Sequence, residues 1–283
     1  MEPTVDLSEL STRLRDIAAD AATGVGPGLR AAFRTGISAG HKTNAHDLVT
    51  EHDRASEEAI VHHLLACEPD SRVLGEEGGH RGHGRIEWIV DPIDGTSNFA
   101  HGVAFFCVSI AAALEGELLA GVVYDPIAGL LFTADLTGAY LNGAPLRPQA
   151  EAEEARACLM TDYPSAEALA LDGPAALEAF GELVGTYATV RRKVSAALAL
   201  AHVAAGWTDA TLGLDTNPWD VAAGVLLVRQ AGGSYLPFRY DDGSGPAHEA
   251  PCFVAVGPGG NCPTAVAVVE RLVAARRAAG HRR

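Results

Sequence analysis

The string Trp88-Ile89-Val90-Asp91-Pro92-Ile93-Asp94-Gly95-Thr96-Ser97-Asn98-Phe99 runs an apolar strand straight into two acids that flank a proline. Acids at the end of a buried run have little use in a core. They suit hard divalent cations, which take oxygen ligands; magnesium accepts a few carboxylates and keeps waters that a phosphate can displace. Asp91 is placed to bridge two ions, with Asp94 completing one of them. Pro92 stiffens the turn. Gly95 and Thr96 can open a short helix or nest whose N–H groups face a phosphate. The structural alternative is an Asx turn with a helix cap, in which Asp91 bonds only backbone and Asp94 only caps.

Acids recur in two similar settings. In Leu74-Gly75-Glu76-Glu77-Gly78, adjacent carboxylates follow an apolar approach. Neighbours on extended chain point opposite ways, so one of them, Glu76, is expected to reach an ion, with Glu77 supporting it or facing solvent. A solvated loop is the alternative. In Pro218-Trp219-Asp220-Val221-Ala222-Ala223-Gly224, an acid occupies the first turn of a small, apolar helix. Taken alone it reads as an ordinary cap. Three acidic positions in comparable surroundings favour the ligand reading over three unrelated caps. His41, His46, His52, His62, His63, His80, His83 and His101 lack the paired spacing of zinc enzymes, and none is assigned to metal.

These acids need elements to hold them. Leu10, Leu14, Ile17 and Ala21 recur at helical spacing, predicting a helix from Asp6 to about Phe33, interrupted around Gly24–Gly28. Thr35 to Asp47, with Gly36, Gly40 and Lys42, reads as a mobile loop, and a second helix follows over Asp53–Cys67. Short apolar runs between Arg72 and Tyr140 describe a meandering sheet. Helical pattern then covers Ser165–Leu183, Ser195–Ala205, Trp219–Ala231 and Pro263–Arg277. Ala157–Thr161, Thr186–Val190 and Phe253–Val256 read as strands of a second sheet. The fold class is therefore α/β, with alternating layers of helix and sheet. A single domain over 1–283 is expected, with approximate halves at 1–150, carrying the metal-site strands, and 151–283, carrying the substrate-side sheet and the Asp220 helix.

The chain has 283 residues and a formal charge of -15, from 21 Lys plus Arg against 36 Asp plus Glu. Such a charge disfavours general binding to nucleic acid or anionic membrane and suits cations. The five cysteines include no CxxC pair, which fits reduced thiols and a cytoplasmic setting. The longest apolar stretch, Val103 to Leu114, is too short for a membrane span.

Gly75-Glu76-Glu77, the string from Trp88 to Phe99 and Pro218 to Gly224, in this order and spacing, resemble the inositol monophosphatase family. Asp47-Leu48-Val49-Thr50 with Asp53, Val108-Ser109-Ile110, Gly121-Val122-Val123 and Ala231-Gly232-Gly233 extend the likeness over most of the chain. The resemblance implies a layered α-β-α-β-α sandwich, homodimers, and a Mg²⁺-dependent phosphomonoesterase acting on a small phosphorylated metabolite. By the same resemblance, Glu76, Asp91 and the Ile93 carbonyl hold one Mg²⁺, and Asp91, Asp94 and Asp220 a second; a third ion shares Glu76. Gly95 and Thr96 meet phosphate. Glu76 and the Thr96–Asp53 pair orient or deprotonate the attacking water, and Lys42 belongs to a loop that closes on the metals. Asp94, Val194, Ser195, Ala196, Gly213 and Asp220 fall at substrate-binding positions.

Two of these depart from the family pattern. Val194 stands where glycine is usual, which hinders close backbone approach to a hydroxyl. Gly213 replaces a glutamate that receives ring hydroxyls, a loss of roughly 1.5–3 kcal/mol for inositol. Asp215 offers a substitute only from a shifted loop. A different ester is therefore open: another sugar phosphate, histidinol phosphate, or a bisphosphate whose second anion meets Arg191, Arg192 and Lys193. A catalytically silent phosphate-binding protein is the alternative of another class.

Overall fold

The computed structural model describes residues 6–35, 39–41 and 48–282. Asp6 starts the first helix, its carboxylate accepting from the Ser8 N–H at 2.9 Å. Helix α1 (Leu7–Ala32) leads to strands β1 (Ala39–His41) and β2 (Leu48–Thr50), helix α2 (Glu51–Cys67), strands β3 (Ser71–Gly75), β4 (Gly79–Gly82) and β5 (Ile86–Asp94), and helix α3 (Thr96–Ala100). Strands β6 (Cys107–Leu114), β7 (Glu117–Asp125), β8 (Leu130–Asp135), β9 (Gly138–Leu141), β10 (Ala144–Pro145) and β11 (Cys158–Thr161) follow. The rest is α4 (Ala166–Asp172), α5 (Pro174–Thr186), β12 (Thr189–Arg192), α6 (Ala196–Ala204), β13 (Ala210–Leu214), α7 (Pro218–Gln230), β14 (Ser234–Phe238), β15 (Cys252–Val256) and α8 (Pro263–Ala278).

Eight strands form one sheet in the order β10-β9-β8-β7-β6-β5-β3-β4, and five form another, β12-β11-β13-β15-β14. Both faces of the larger sheet are covered, which is why β6 and β7 are nearly continuous apolar runs rather than alternating ones. Val108, Ile110 and Ala112 pack with α1 and α2, while Cys107, Ala111 and Ala113 pack with α6 and α7. The small sheet meets α6 and α7 through Phe253 and Ala255 and covers α4, α5 and α8 through Leu212 and Val254. The result is the layered α-β-α-β-α sandwich that the resemblance implied.

Several element expectations need correction. Helix α1 is continuous through Gly24–Gly28 and contains Pro27, because its buried face, Leu14, Ala18, Ala22 and Leu29, runs unbroken across them. Within the segment read as a loop, Ala39–His41 is a strand paired with Leu48–Thr50; Lys42 lies outside the described residues. The Ser165–Leu183 pattern splits at Gly173, whose φ of 57° ends α4 before Pro174 opens α5. Helix α5 continues through Thr186, so the strand read at Thr186–Val190 begins at Thr189 and takes in Arg191 and Arg192. Strands β13 and β14 were not expected. Among the described residues, no helix is long and apolar enough to cross a membrane.

One buried cation ties the last helix to the substrate side. Arg276, 2% exposed, holds Asp172 by two bonds of 2.7 Å and donates to Asp215 at 2.6 Å and the Tyr240 hydroxyl at 2.8 Å. Asp215 sits at φ 59°, in the left-handed region where a non-glycine residue needs support. The bond to Arg276 supplies it.

Candidate active site

Strand β5 delivers the central acids. Asp91 pairs with Ser109 and Asp94 with Cys107, so three steps on β5 oppose two on β6, and the bulge turns both carboxylates into one pocket. Asp91 is 2% exposed and Asp94 7%. Asp220 arrives from the first turn of α7, where Pro218 occupies a position that needs no N–H. Its carboxylate accepts from the Asn217 N–H at 2.6 Å in a capping box, and the Ser109 hydroxyl donates to the Trp219 carbonyl at 3.1 Å, fixing α7 on β6. Ligand atoms of Asp91, Asp94 and Asp220 all lie within 4.8 Å of one another, the one such group among the described residues.

The capping and turn roles are also present. One Asp91 oxygen accepts from the Ile93 N–H at 2.9 Å. One Asp94 oxygen accepts from the Ser195 hydroxyl at 2.6 Å and the Ala197 N–H at 2.7 Å, joining β5 to the start of α6. Gly95, not Asp94, is the cap of α3, at φ 95°. A Cβ there would come within 2.9 Å of the Val194 carbonyl, so glycine is required twice over.

Glu76 continues the β3–β5 pairing through its N–H to the Val90 carbonyl at 3.1 Å. Burial drives the Asp91 carboxyl well above its ordinary range, and the charges of Glu76, Asp94 and Asp220 push it further. Burial likewise raises Asp94, while Ser195 and the α6 amides pull it back. Asp53 sits in a capping box at the start of α2, with one oxygen on the Thr50 N–H at 2.7 Å and the other 2.9 Å from the Thr96 hydroxyl. That hydroxyl also lies 3.0 Å from the Ile93 carbonyl and has one proton to give. The pairing of Thr96 with Asp53 is thus formed.

Glu57, which the sequence reading missed, organises the Glu76 turn. Buried at 1% exposed, it accepts from the Glu77 N–H at 2.8 Å and the Gly78 N–H at 2.6 Å. Burial raises its carboxyl, partly offset by those two donors. A Cβ on Gly75 would lie 2.6 Å from Glu57, so the glycine makes room for the acid. Its position one helical turn after Asp53 was the available signal.

On the other side of the cleft, Ser195 caps toward Asp94, and Ala196 begins α6. The Val194 side chain is exposed; its carbonyl accepts from the Asn98 amide at 2.7 Å, so the branched group stays clear while the backbone packs inward. Gly213 pairs with Phe253 across β13 and β15. Asp215 is engaged by Arg276 and Tyr240. Arg191, Arg192 and Lys193 are exposed, with Arg192 donating to the Pro164 carbonyl at 3.1 Å.

A cation fits this centre. Three buried or half-buried carboxylates with mutually raised charge cost would be stabilised by positive charge, and all-oxygen donors suit a hard divalent ion.

A layered sandwich with an acidic cluster at the end of a central strand, sealed by the first turn of a helix, is the architecture of a phosphatase class. The chain belongs to the inositol monophosphatase family, whose profile matches residues 11–272. It is 38% identical over 229 residues to inositol monophosphatase 2 of Solanum lycopersicum, covering 78% of this chain and 86% of the relative. It is 41% identical over 214 residues to Nus factor SuhB of Pseudomonas aeruginosa, covering 74% and 79%. An IMPase structure from Thermotoga maritima superposes with a TM-score of 0.78 at 29% identity, covering 93% and 98%.

Proposed function

We propose that the chain is a Mg²⁺-dependent phosphomonoesterase for a small phosphorylated alcohol, with Glu76, Asp91, the Ile93 carbonyl, Asp94 and Asp220 as the residues that would hold two or three ions. The convergence of Asp91, Asp94 and Asp220 within 4.8 Å carries this reading. Bound ions supply charge stabilisation of the phosphoryl group and acidify a water. The chain's own part is to keep that water and the ester in line: Glu76 beside Asp91, and Thr96 anchored on Asp53, orient it and receive its proton. Gly95 and Thr96 at the start of α3 place backbone donors for phosphate, and Ser195 and Ala196 border the alcohol. With Gly213 in place of an acceptor, esters other than inositol phosphates are favoured, histidinol phosphate and bisphosphates among the candidates.

Phosphate release from a panel of esters, with Mg²⁺ or EDTA, tests this. Full activity in EDTA refutes the metal mechanism. A second reading, a phosphate-binding protein without turnover, has the Nus factor name of several relatives in its favour. Ligand binding without phosphate release across the whole panel would establish it. A homodimer is proposed with the enzyme, and light scattering at a mass near twice 29.4 kDa supports it.

A further inference from the structure

The alcohol side carries three consecutive cations, Arg191, Arg192 and Lys193, at the end of β12, the edge strand of the small sheet. Strand register divides them. Arg191 pairs with Met160 and Arg192 with Thr161. Side chains alternate along a strand; Met160 belongs to the core shared with α6 and α7, whereas Leu159 and Val190 pack toward α4, α5 and α8. Arg191 therefore shares the face turned to α6 and α7, and Arg192 the opposite face. There Arg192 donates to the Pro164 carbonyl at 3.1 Å and offsets the charge of Asp162. Lys193 follows Arg191: its N–H donates to the Thr161 carbonyl at 3.1 Å, and its ammonium lies 4.5 Å from the centre of the Phe105 ring.

This face adjoins the turn proposed to receive phosphate. The Asn98 amide donates to the Val194 and Phe105 carbonyls, each at 2.7 Å, and a Cβ on Gly95 would lie 2.9 and 3.1 Å from the same two oxygens. Lys193 also borders Ser195, Thr211 and Gly213. A neutral hydroxyl finds no acceptor at position 213, and none can be returned there. A Cβ on Gly213 would lie 2.5 Å from Cε1 of Phe253, which is 1% exposed and stacked on Tyr235 at 5.1 Å. The ring has taken the space of the missing side chain, and Asp215 is held elsewhere by Arg276. Arg72, Arg81, Arg271 and Arg277 each hold a carboxylate, but among the described residues no ion pair engages Arg191 or Lys193. Charges on an open edge strand deter pairing with another chain, which accounts for cations on β12 as such. That purpose does not turn the Lys193 ammonium inward over Phe105.

We infer that Arg191 and Lys193 form a specificity clamp for a second anionic group, so that the preferred substrate is a phosphate monoester whose alcohol carries a carboxylate or another phosphate. This rests on the phosphatase reading above and selects one substrate class within it. Such a group meets two cations that no carboxylate of the protein has claimed, and charge-assisted bonds are roughly twice as strong as neutral ones. Inositol and other neutral polyols leave both cations unanswered. Arg192, on the far face of the strand, takes no part.

The test compares, with Mg²⁺, carboxyalkyl phosphates and alkanediol bisphosphates against hydroxyalkyl phosphates of matched length, the bisphosphates corrected for their equivalent ends. On at least one arm the wild type should favour the second anion by about tenfold in kcat/KM, mainly through KM, and the arms tell which anion is taken. The preference should shrink as salt rises, since both cations are exposed. Arg191→Gln combined with Lys193→Met should bring the ratio close to one, whereas Arg192→Gln should leave it. A wild-type ratio of one or less on both arms, a ratio that the double variant leaves in place, or one that Arg192→Gln removes as fully, overturns the inference. Equal losses on neutral and anionic esters would put these cations on the reacting phosphate and overturn it too. Calorimetry with the matching carboxyalkyl and hydroxyalkyl phosphonates, which cannot be hydrolysed, reads the same ratio as binding. If no ester is turned over but the phosphonate ratio behaves as stated, the phosphatase reading fails and the clamp stands. Thermal melting shows whether the double variant folds; if it does not, the wild-type ratio and its salt dependence decide alone.

Discussion

On the side of the acidic cluster, Asp91, Asp94 and Asp220 each accept from a backbone or hydroxyl donor of the fold, Asp53 accepts such bonds at both oxygens, and Asp53, Asp91 and Asp94 are almost fully buried. On the alcohol side, Lys193 and Val194 are exposed, and the decisive feature is a glycine whose space a neighbouring ring has filled. The first arrangement fixes each acid through a strand bulge or a helix start, so few changes leave it working. The second is set by side chains that meet across a sheet, and it can change without disturbing the chemistry. On the proposed function, reaction type and substrate choice would thus be separable in this molecule.

The strongest way to break that comparison is on the phosphate side. Asp220→Asn or Asp91→Asn should lower phosphate release by more than about a hundredfold, since each removes a charge worth several kcal/mol to an ion and its transition state. Unchanged turnover would make the carboxylates purely structural. On the alcohol side, Gly213→Glu should destabilise the protein by about 1–3 kcal/mol through overpacking on Phe253, without gaining inositol phosphate hydrolysis. Combining it with Phe253→Ala should recover stability beyond additivity, measured by denaturant melts of the double-mutant cycle. Additive losses would show that the ring does not occupy that space.

Glu57→Gln tests whether support matters as much as ligands. The amide keeps one acceptor for two backbone donors, and the lost bond to a charged group is worth roughly 1.5–3 kcal/mol, read as weaker Mg²⁺ activation. A variant with unaltered Mg²⁺ dependence would confine Glu57 to packing. The smallest effect is on the stability of metal-free protein. Asp91 and Asp94 have folded pKa values above their ordinary 3.8, so the unfolded chain binds fewer protons above that value, and stability should fall as pH rises through the folded values. Melting in EDTA should show the fall, and saturating Mg²⁺ should remove it.

Legibility in the sequence follows the same divide. The clustering of Asp91 and Asp94 with Asp220 was legible because the first two sit where strand end, acid and glycine are neighbours and the third in the first turn of a small, apolar helix. The layers could be read because β6 and β7 are apolar on both faces. Glu57 escaped because its purpose is to hold amides twenty positions downstream, which only the turn of α2 against β3 reveals. Phe253 escaped because its meeting with Gly213 depends on strand register in the small sheet. The edge strand β12 was misplaced because Thr186 completes α5 before extended chain begins.

Arg276 adds a matter of timing. The loop that leads into Asp220 takes its shape from a guanidinium in the final helix, so a chain still being synthesised has its last acid in sequence long before it has the residue that steadies the approach to it. Strands and the central acids can assemble early, while the Asp215 turn waits for α8 to dock. On the proposed metal reading, cation capture would then be a late event in the life of the polypeptide, and a truncated product would carry the motif without the finished grip.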